Sequence, residues 1–339
     1  YPTIRELYMF PPANPDLKPE RLWSYELSFS QQPFGGRLSY GVNVFLIDGE
    51  NLIVRMPVGG RPMNVNTGRI RNAGVELQLD TRIIDKAVKW DFGVNLSVNR
   101  SKVLSLSDGK DIFGSTVSNT IISDQLNLMR IGEPMYVFYG YVEEGYDDNG
   151  QLVYKDLDGS DGITPADKTI IGNPNPDCLL NFNTAVSYKG FTLSAFFQGS
   201  IGNDIYSLSM ASAAYDYNSN ANTLREVLYN HWTPEKPDAK YPNLRQDIAL
   251  KMSDRFVYDG SYMRLKNLEL SYNIPCSKSR VISKARVYVS AQNLWTITSY
   301  PFWDPDVNAK GGSTSLAQGI DASCYPGART FTLGCRLVF

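Results

Sequence analysis

Arg329-Thr-Phe-Thr-Leu-Gly-Cys-Arg-Leu-Val-Phe339 ends the chain with strict period-two alternation. Phe331, Leu333, Cys335, Leu337 and Phe339 fall on one side of an extended strand, and Thr330, Thr332, Gly334, Arg336 and Val338 on the other. One side is oily and the other mostly polar. A half-buried strand of a soluble sandwich reads this way, and so does a strand of about ten residues in a membrane barrel, where lipid-facing and lumen-facing positions alternate. The rest of the chain separates the two.

The same alternation recurs upstream. Trp23, Tyr25, Leu27 and Phe29 alternate with Ser24, Glu26 and Ser28, and after a short turn at Gln31–Gly36 the run Leu38, Tyr40, Val42, Val44, Leu46 completes a hairpin. Val75, Leu77, Leu79, Thr81 and Ile83 lead through Asp85-Lys86 into Val88, Trp90, Phe92, Val94, Leu96 and Val98. These last are opposed by Lys89, Asp91, Gly93, Asn95, Ser97 and Asn99. A third pair runs from Leu180 to Tyr188, turns at Lys189-Gly190, and returns through Phe191, Leu193, Ala195 and Phe197. The strand Ser261–Asn273 has Leu268, Leu270 and Tyr272 on one face but carries Arg264 and Lys266 in that phase. Its first half therefore stands above the membrane, or a bulge shifts its phase. Past a turn at Pro275–Ser279 come Val287, Val289 and Ala291, and then the terminal strand.

Connection length does the sorting. About nine barrel strands emerge, joined alternately by short turns and by long segments at 48–69, 103–177, 200–260 and 295–328. Soluble β domains seldom carry several loops beyond about 15 residues. Outer-membrane barrels have short periplasmic turns and long external loops. Counting back from a periplasmic C-terminus, every short turn falls in the periplasm and every long loop outside, provided that the β-like piece Met135–Tyr141 belongs to an external loop.

Composition agrees. Aromatics at 12%, with 21 Tyr and 27 Gly, favour strands and turns. The mean hydropathy of −0.27 is too polar for a helical membrane protein, and no apolar run approaches the ~18 residues of a spanning helix. A net charge of −2 offers no basic stripe for nucleic acid. The four cysteines, Cys178, Cys276, Cys324 and Cys335, form no CxxC pair and read as free or lipid-facing small hydrophobes. The opening Tyr1-Pro2 and Pro11-Pro12-Ala-Asn-Pro15 reads as the interior of a longer protein.

Several stretches together resemble the SusC/RagA family of TonB-linked outer-membrane transporters. They are Lys18–Glu26, Asn72-Ala-Gly-Val-Glu76, Gly172-Asn-Pro-Asn-Pro176, Tyr188–Leu193, Gln198–Tyr206, Asp254-Arg-Phe256, Asp259–Asn267, Gln292-Asn-Leu294, Tyr300, Asp304-Pro305 and the terminal strand. The resemblance implies an all-β fold: an antiparallel transmembrane β-barrel of 22 strands, of which residues 1–339 are the C-terminal part. The plug domain and the N-terminal strands would lie outside this chain. It further implies a TonB system acting through that missing N-terminal region, a SusD-like surface lipoprotein over the mouth, and a Bacteroidetes-type Gram-negative outer membrane. The expected function is TonB-dependent import of an oligomeric glycan or peptide. The alternative is a non-transporting barrel serving as adhesin or scaffold.

Two sets of candidate site residues remain. Asp156-Leu-Asp-Gly-Ser-Asp-Gly-Ile-Thr-Pro-Ala-Asp167 spaces Asp156, Asp158, Ser160 and Asp167 as positions 1, 3, 5 and 12 of a calcium loop. It departs from the EF-hand pattern in having Asp161 at the glycine position and Asp rather than Glu at position 12, and a solvated acidic turn reads similarly. Any Ca²⁺ there would be structural. Among the loop aromatics, Trp303, Tyr300, Trp232 and Tyr215 are candidates to stack on a substrate, against the plainer roles of loop core or interfacial girdle. His231, the only histidine, has no nucleophile-elbow or metalloprotease motif near it, so no enzymatic role is expected.

Overall fold

In a computed structural model, the protein is described at residues 13–58, 61–114, 116–217, 222–244, 250–276, 281–308 and 318–339, with backbone alone at 55–58, 61 and 62. Nine long strands form one sheet: β1 (Arg21–Gln31), β2 (Leu38–Glu50), β3 (Gly68–Asp85), β4 (Val88–Leu106), β5 (Cys178–Tyr188), β6 (Phe191–Ile201), β7 (Tyr262–Ile274), β8 (Lys284–Thr298) and β9 (Thr330–Val338). Their order in the sheet is their order in the chain, and every neighbour is antiparallel. Among the described residues β1 and β9 are the open edges. The tight β5–β6 turn places Lys189 at φ +47° and Gly190 at φ +85°, the left-handed pair that a two-residue hairpin turn requires. Of the expected turn at 275–279, residues 277–279 lie outside the described residues.

Register joins the oily phases of all nine strands into one continuous face. One row runs Phe29–Val42–Leu77–Leu96–Leu180, and another Trp90–Val186–Leu193–Leu270–Val289–Leu333. This face is exposed, with Leu333 at 81%, as expected of a surface whose solvent is lipid. Cys335 is a free thiol on it, opposite Val287, and the Trp90 indole N–H donates to Thr184 Oγ1 at 2.9 Å. The other face is polar and cross-linked between strands. Arg82 donates to Asp91 at 2.7 Å, Arg286 pairs with Glu269, and Ser187 meets Thr192 at 2.9 Å. The Arg264/Lys266 conflict resolves as a bulge, since the register slips between Leu265 and Asn267. Leu265 and Leu268 thereby share the oily face while Arg264 points to the polar one.

The buried core lies elsewhere, in the long connections. A four-stranded sheet (Ile112–Phe113, Asn127–Met129, Val137–Gly140, Thr169–Gly172) and a three-stranded one (Asp204–Ser207, Val257–Asp259, Ile320–Asp321) fold together with helix α1 (Leu208–Tyr215) and the short helix α2 (Arg225–Tyr229). Leu126, Phe138, Tyr206, Leu208, Met252, Phe256 and Ile320 are fully buried there, and each such side chain contributes about 1.5–3 kcal/mol. The described parts of the long connections form a folded cap on one rim of the sheet. The Met135–Tyr141 piece belongs to this cap, as the parity of turns and loops requires.

Strands β3 and β4 run on past their oily segments into the cap, and there their amphipathic phase inverts. Val103 is buried with Leu106, Ile112, Met129 and Met135, and Ile70 pairs with Val103 in register. Their alternates Arg71 and Lys102 take the outward face. The side that faces lipid lower down faces water here, and the side that faces the polar interior packs on the cap.

Candidate functional site

The cap is fastened to the polar face of the wall by buried charge. Arg264 of β7 is 4% exposed and Asp304 9%. The Arg264 guanidinium pairs with Asp304 and donates from Nε to Thr296 Oγ1 at 3.0 Å. Asp304 also accepts the Asp306 N–H at 2.9 Å and the Gly327 N–H at 3.2 Å, so one carboxylate fixes both ends of the β8–β9 connection. A second hub lies inside the cap. Arg255 forks onto Glu143, donates to the Tyr215 hydroxyl and the Lys240 carbonyl, each at 2.8 Å, and to Tyr146 at 3.1 Å. Asp254 beside it accepts the Glu143 N–H at 3.0 Å. Burial pushes the Tyr215 phenol well above its usual range. These are structural networks, and the charged residues at their centres, Arg255, Arg264 and Asp304, sit in the stretches Asp254–Phe256, Asp259–Asn267 and Asp304-Pro305, whose roles spacing alone leaves unassigned.

The four candidate aromatics separate. Tyr300, a candidate for substrate contact or loop core, takes the interior place: its hydroxyl donates to Asp321 Oδ2 at 2.6 Å and meets Ser207 Oγ at 2.7 Å, and its ring packs edge-on against Tyr258. Tyr215 is interior too, T-shaped on Phe256 with centroids 5.4 Å apart. At 4% and 6% exposed, neither ring offers a platform. Trp232 is half-buried, lying so close over Gly150 that no Cβ fits there, with its backbone N–H on the Tyr241 carbonyl at 2.7 Å. Trp303 is 62% exposed and stacks on Phe302 at 4.9 Å. Its neighbour Asp304 is anchored by Arg264, which fixes the backbone beside the exposed stack. Trp295 points outward with Leu265 on the oily face, in the girdle position.

In the acidic loop, carboxylate oxygens of Asp156, Asp158 and Asp167 lie within 4.8 Å of one another. Hard oxygens at that separation suit calcium. Ser160, expected as a fourth ligand, instead directs its hydroxyl to the Gly162 carbonyl at 3.5 Å. Asp167 is fully buried and accepts the N–H groups of Leu157 (2.7 Å), Asp158 (3.2 Å) and Thr164 (2.7 Å). Those amides hold its carboxyl down at about 2. Thr164 and Asp167 form a capping box around Pro165, a pattern visible in Thr164-Pro-Ala-Asp167 itself. His231 Nδ1 lies 3.1 Å from the Val227 carbonyl just past α2.

A two-faced antiparallel wall with short turns at one rim and a folded cap at the other defines a segment of a transmembrane β-barrel. The family model described as "TonB dependent receptor-like, beta-barrel" matches residues 1–294. TonB-dependent receptor P3 of Formosa agariphila is 32% identical over 355 residues, covering 96% of this chain and 35% of that protein. TonB-dependent receptor SusC of Bacteroides thetaiotaomicron is 28% identical over 344 residues, covering 96% and 32%. The solved structure of the RagAB peptide transporter superposes with TM-score 0.78 at 24% identity, over 96% of this chain and 36% of that one. The chain belongs to the TonB-dependent receptor-like β-barrel family of outer-membrane proteins, and spans about a third of the length of these relatives.

Proposed function

We propose that the intact protein imports an oligomeric nutrient, a glycan or a peptide, across the outer membrane of a Bacteroidetes-type bacterium. In this reading TonB supplies energy through the region preceding this chain, and a SusD-like surface lipoprotein closes over the cap. Residues 1–339 act as the C-terminal part of the wall and as partner surface. The observation that carries the reading is the pairing of a continuous lipid-type face with an ordered cap on one rim only.

Within this reading the Trp303–Phe302 stack is the substrate platform and Trp232 a secondary contact. A calcium ion on Asp156, Asp158 and Asp167 would order the acidic loop in structural support of the cap. The test is uptake of labelled oligopeptides and oligosaccharides by cells carrying or lacking the intact receptor, its lipoprotein partner and TonB. Uptake of one class that requires all three supports import. Uptake unaffected by deleting the receptor contradicts it.

A further inference from the structure

The polar face of the wall carries a row of carboxamides. Gln78 on β3, Asn95 on β4, Asn181 on β5 and Gln198 on β6 are consecutive partners in register, and the row ends on Arg264 of β7. The next row towards the short turns reads Asp80, Gly93, Asn183, Phe196 and Asn267. At ~4.8 Å per strand the two rows run about 19 Å across the wall, room for a short oligomer.

Most of these amides are uncommitted. Gln78 donates to Asp80 Oδ2 at 2.8 Å, whereas among the described residues the side chains of Asn95, Asn181, Asn183, Gln198 and Asn267 make no hydrogen bond within the protein. A carboxamide has two donors and two acceptor lone pairs, so each is an open partner for groups that both give and take. The lower row opens into a trough of about 420 Å³ with Asp80, Arg82, Asp91, Asn183, Phe196 and Asn267 among its walls, within the size range of ligand sites. Gly93 leaves it room: a Cβ there would strike both Asn183 Oδ1 and Asp80 Oδ1, which lean over it. Phe196 is 37% exposed between Asn183 and Asn267, in a phase of β6 whose other members are Thr192, Ser194, Gln198 and Ser200.

The cations of the trough are already engaged. Arg82 donates to Asp91 at 2.7 Å and lies 3.9 Å from Asp85, and Arg37 donates to the carbonyls of Arg82 and Ile83 at 3.4 and 3.3 Å. A peptide needs a cation for its carboxylate and separate pockets for alternate side chains. A neutral sugar needs a flat apolar surface for its ring face and amides for its hydroxyls. The trough supplies the second set.

We propose that this trough is a substrate subsite on the wall, apart from the Trp303–Phe302 stack, and that it takes a stretch of neutral oligosaccharide. Phe196 receives the face of a pyranose ring, and Asn183, Asn267 and the amide row above them hydrogen-bond its hydroxyls. The proposal rests on the import reading above and narrows its substrate from glycan or peptide to neutral glycan.

The experiment uses the intact protein carrying Phe196→Trp and labelled with fluorotryptophan, so that fluorine NMR shows one resonance absent from wild type. Maltohexaose, cellohexaose, mannohexaose and a blocked Gly-Ser hexapeptide are titrated separately. At least one sugar is expected to shift the residue-196 resonance saturably, and the peptide to leave it in place. Adding Asn183→Ala/Asn267→Ala should weaken the sugar response on the order of tenfold. A heat-modifiable gel shift certifies that each barrel is folded. A resonance that no sugar moves overturns the proposal, as does one that the peptide moves equally or a sugar response unchanged in the folded triple variant. Uptake measured alongside separates the two claims. Receptor-dependent uptake with a silent residue-196 resonance sinks the subsite and leaves import standing, whereas a sugar-shifted resonance without TonB-dependent uptake supports the subsite and sinks import alone.

Discussion

Arg264 and Asp304 meet as a buried ion pair across forty residues of sequence, joining the polar face of β7 to the connection that precedes β9. Removing one partner of such a pair leaves an uncompensated buried charge, at a cost of about 3–5 kcal/mol. In Asp304→Ala the carboxylate that also holds the Asp306 and Gly327 amides is lost. Hydrogen exchange at residues 318–328 is expected to accelerate while β1 to β6 keep their protection. Unchanged exchange there would show that the connection is held by other contacts.

The oily face makes a separate prediction. Leu193 lies mid-row between Val186 and Leu270, so Leu193→Ile should be nearly silent. Leu193→Arg should lower the stability of the barrel in bilayers by about 2–4 kcal/mol. Equilibrium unfolding of the intact protein from vesicles measures both. A silent Arg substitution would mean that this face does not meet lipid.

Acid should loosen the 156–167 loop. The Asp167 carboxyl is held at about 2 against its usual 3.8, so its contribution is fully present above about pH 4 and is lost as the pH falls towards 2. Exchange protection of the Leu157 and Thr164 amides, corrected for intrinsic rates, should fall in that window. Asp167→Asn should show the loss already at neutral pH. Protection that persists to pH 2 would assign loop order to other groups.

Calcium binding is testable in the same loop. Titration calorimetry of the intact protein should show saturable binding in the submillimolar to millimolar range, abolished in Asp156→Asn/Asp158→Asn. Absence of heat at millimolar calcium would leave the loop as a capping-box turn closed by Asp167 alone.

What the sequence disclosed follows from where lipid acts on it. The nine strands were legible because a lipid-facing strip tolerates little but apolar side chains, as Val88 to Val98 shows. The phase conflict at Arg264 and Lys266 announced a bulge or an exit from the membrane, and the bulge is what forms. The upper halves of β3 and β4 escaped detection because Ile70 and Val103 place their oily phase on the opposite side from Val75 and Val98. Helix α1 was hidden as well, since Leu208, Met210, Ala211 and Ala214 are buried around most of its circumference and leave no single apolar stripe. Tyr300 and Tyr215 stay open in the sequence between substrate contact and loop core, because their partners Asp321 and Arg255 lie 21 and 40 residues further along the same connections, where spacing does not bring them together.

The central claim is that the short turns lie in the periplasm and the cap lies outside the cell. Single cysteines at Lys86 and Lys189 in the turns and at Glu235 in the cap, in an otherwise cysteine-free intact protein, can be probed in whole cells with a membrane-impermeant maleimide. The account predicts labelling at 235 alone, with 86 and 189 reacting only after the outer membrane is permeabilised. Labelling of 86 or 189 in intact cells, with 235 protected, would contradict it.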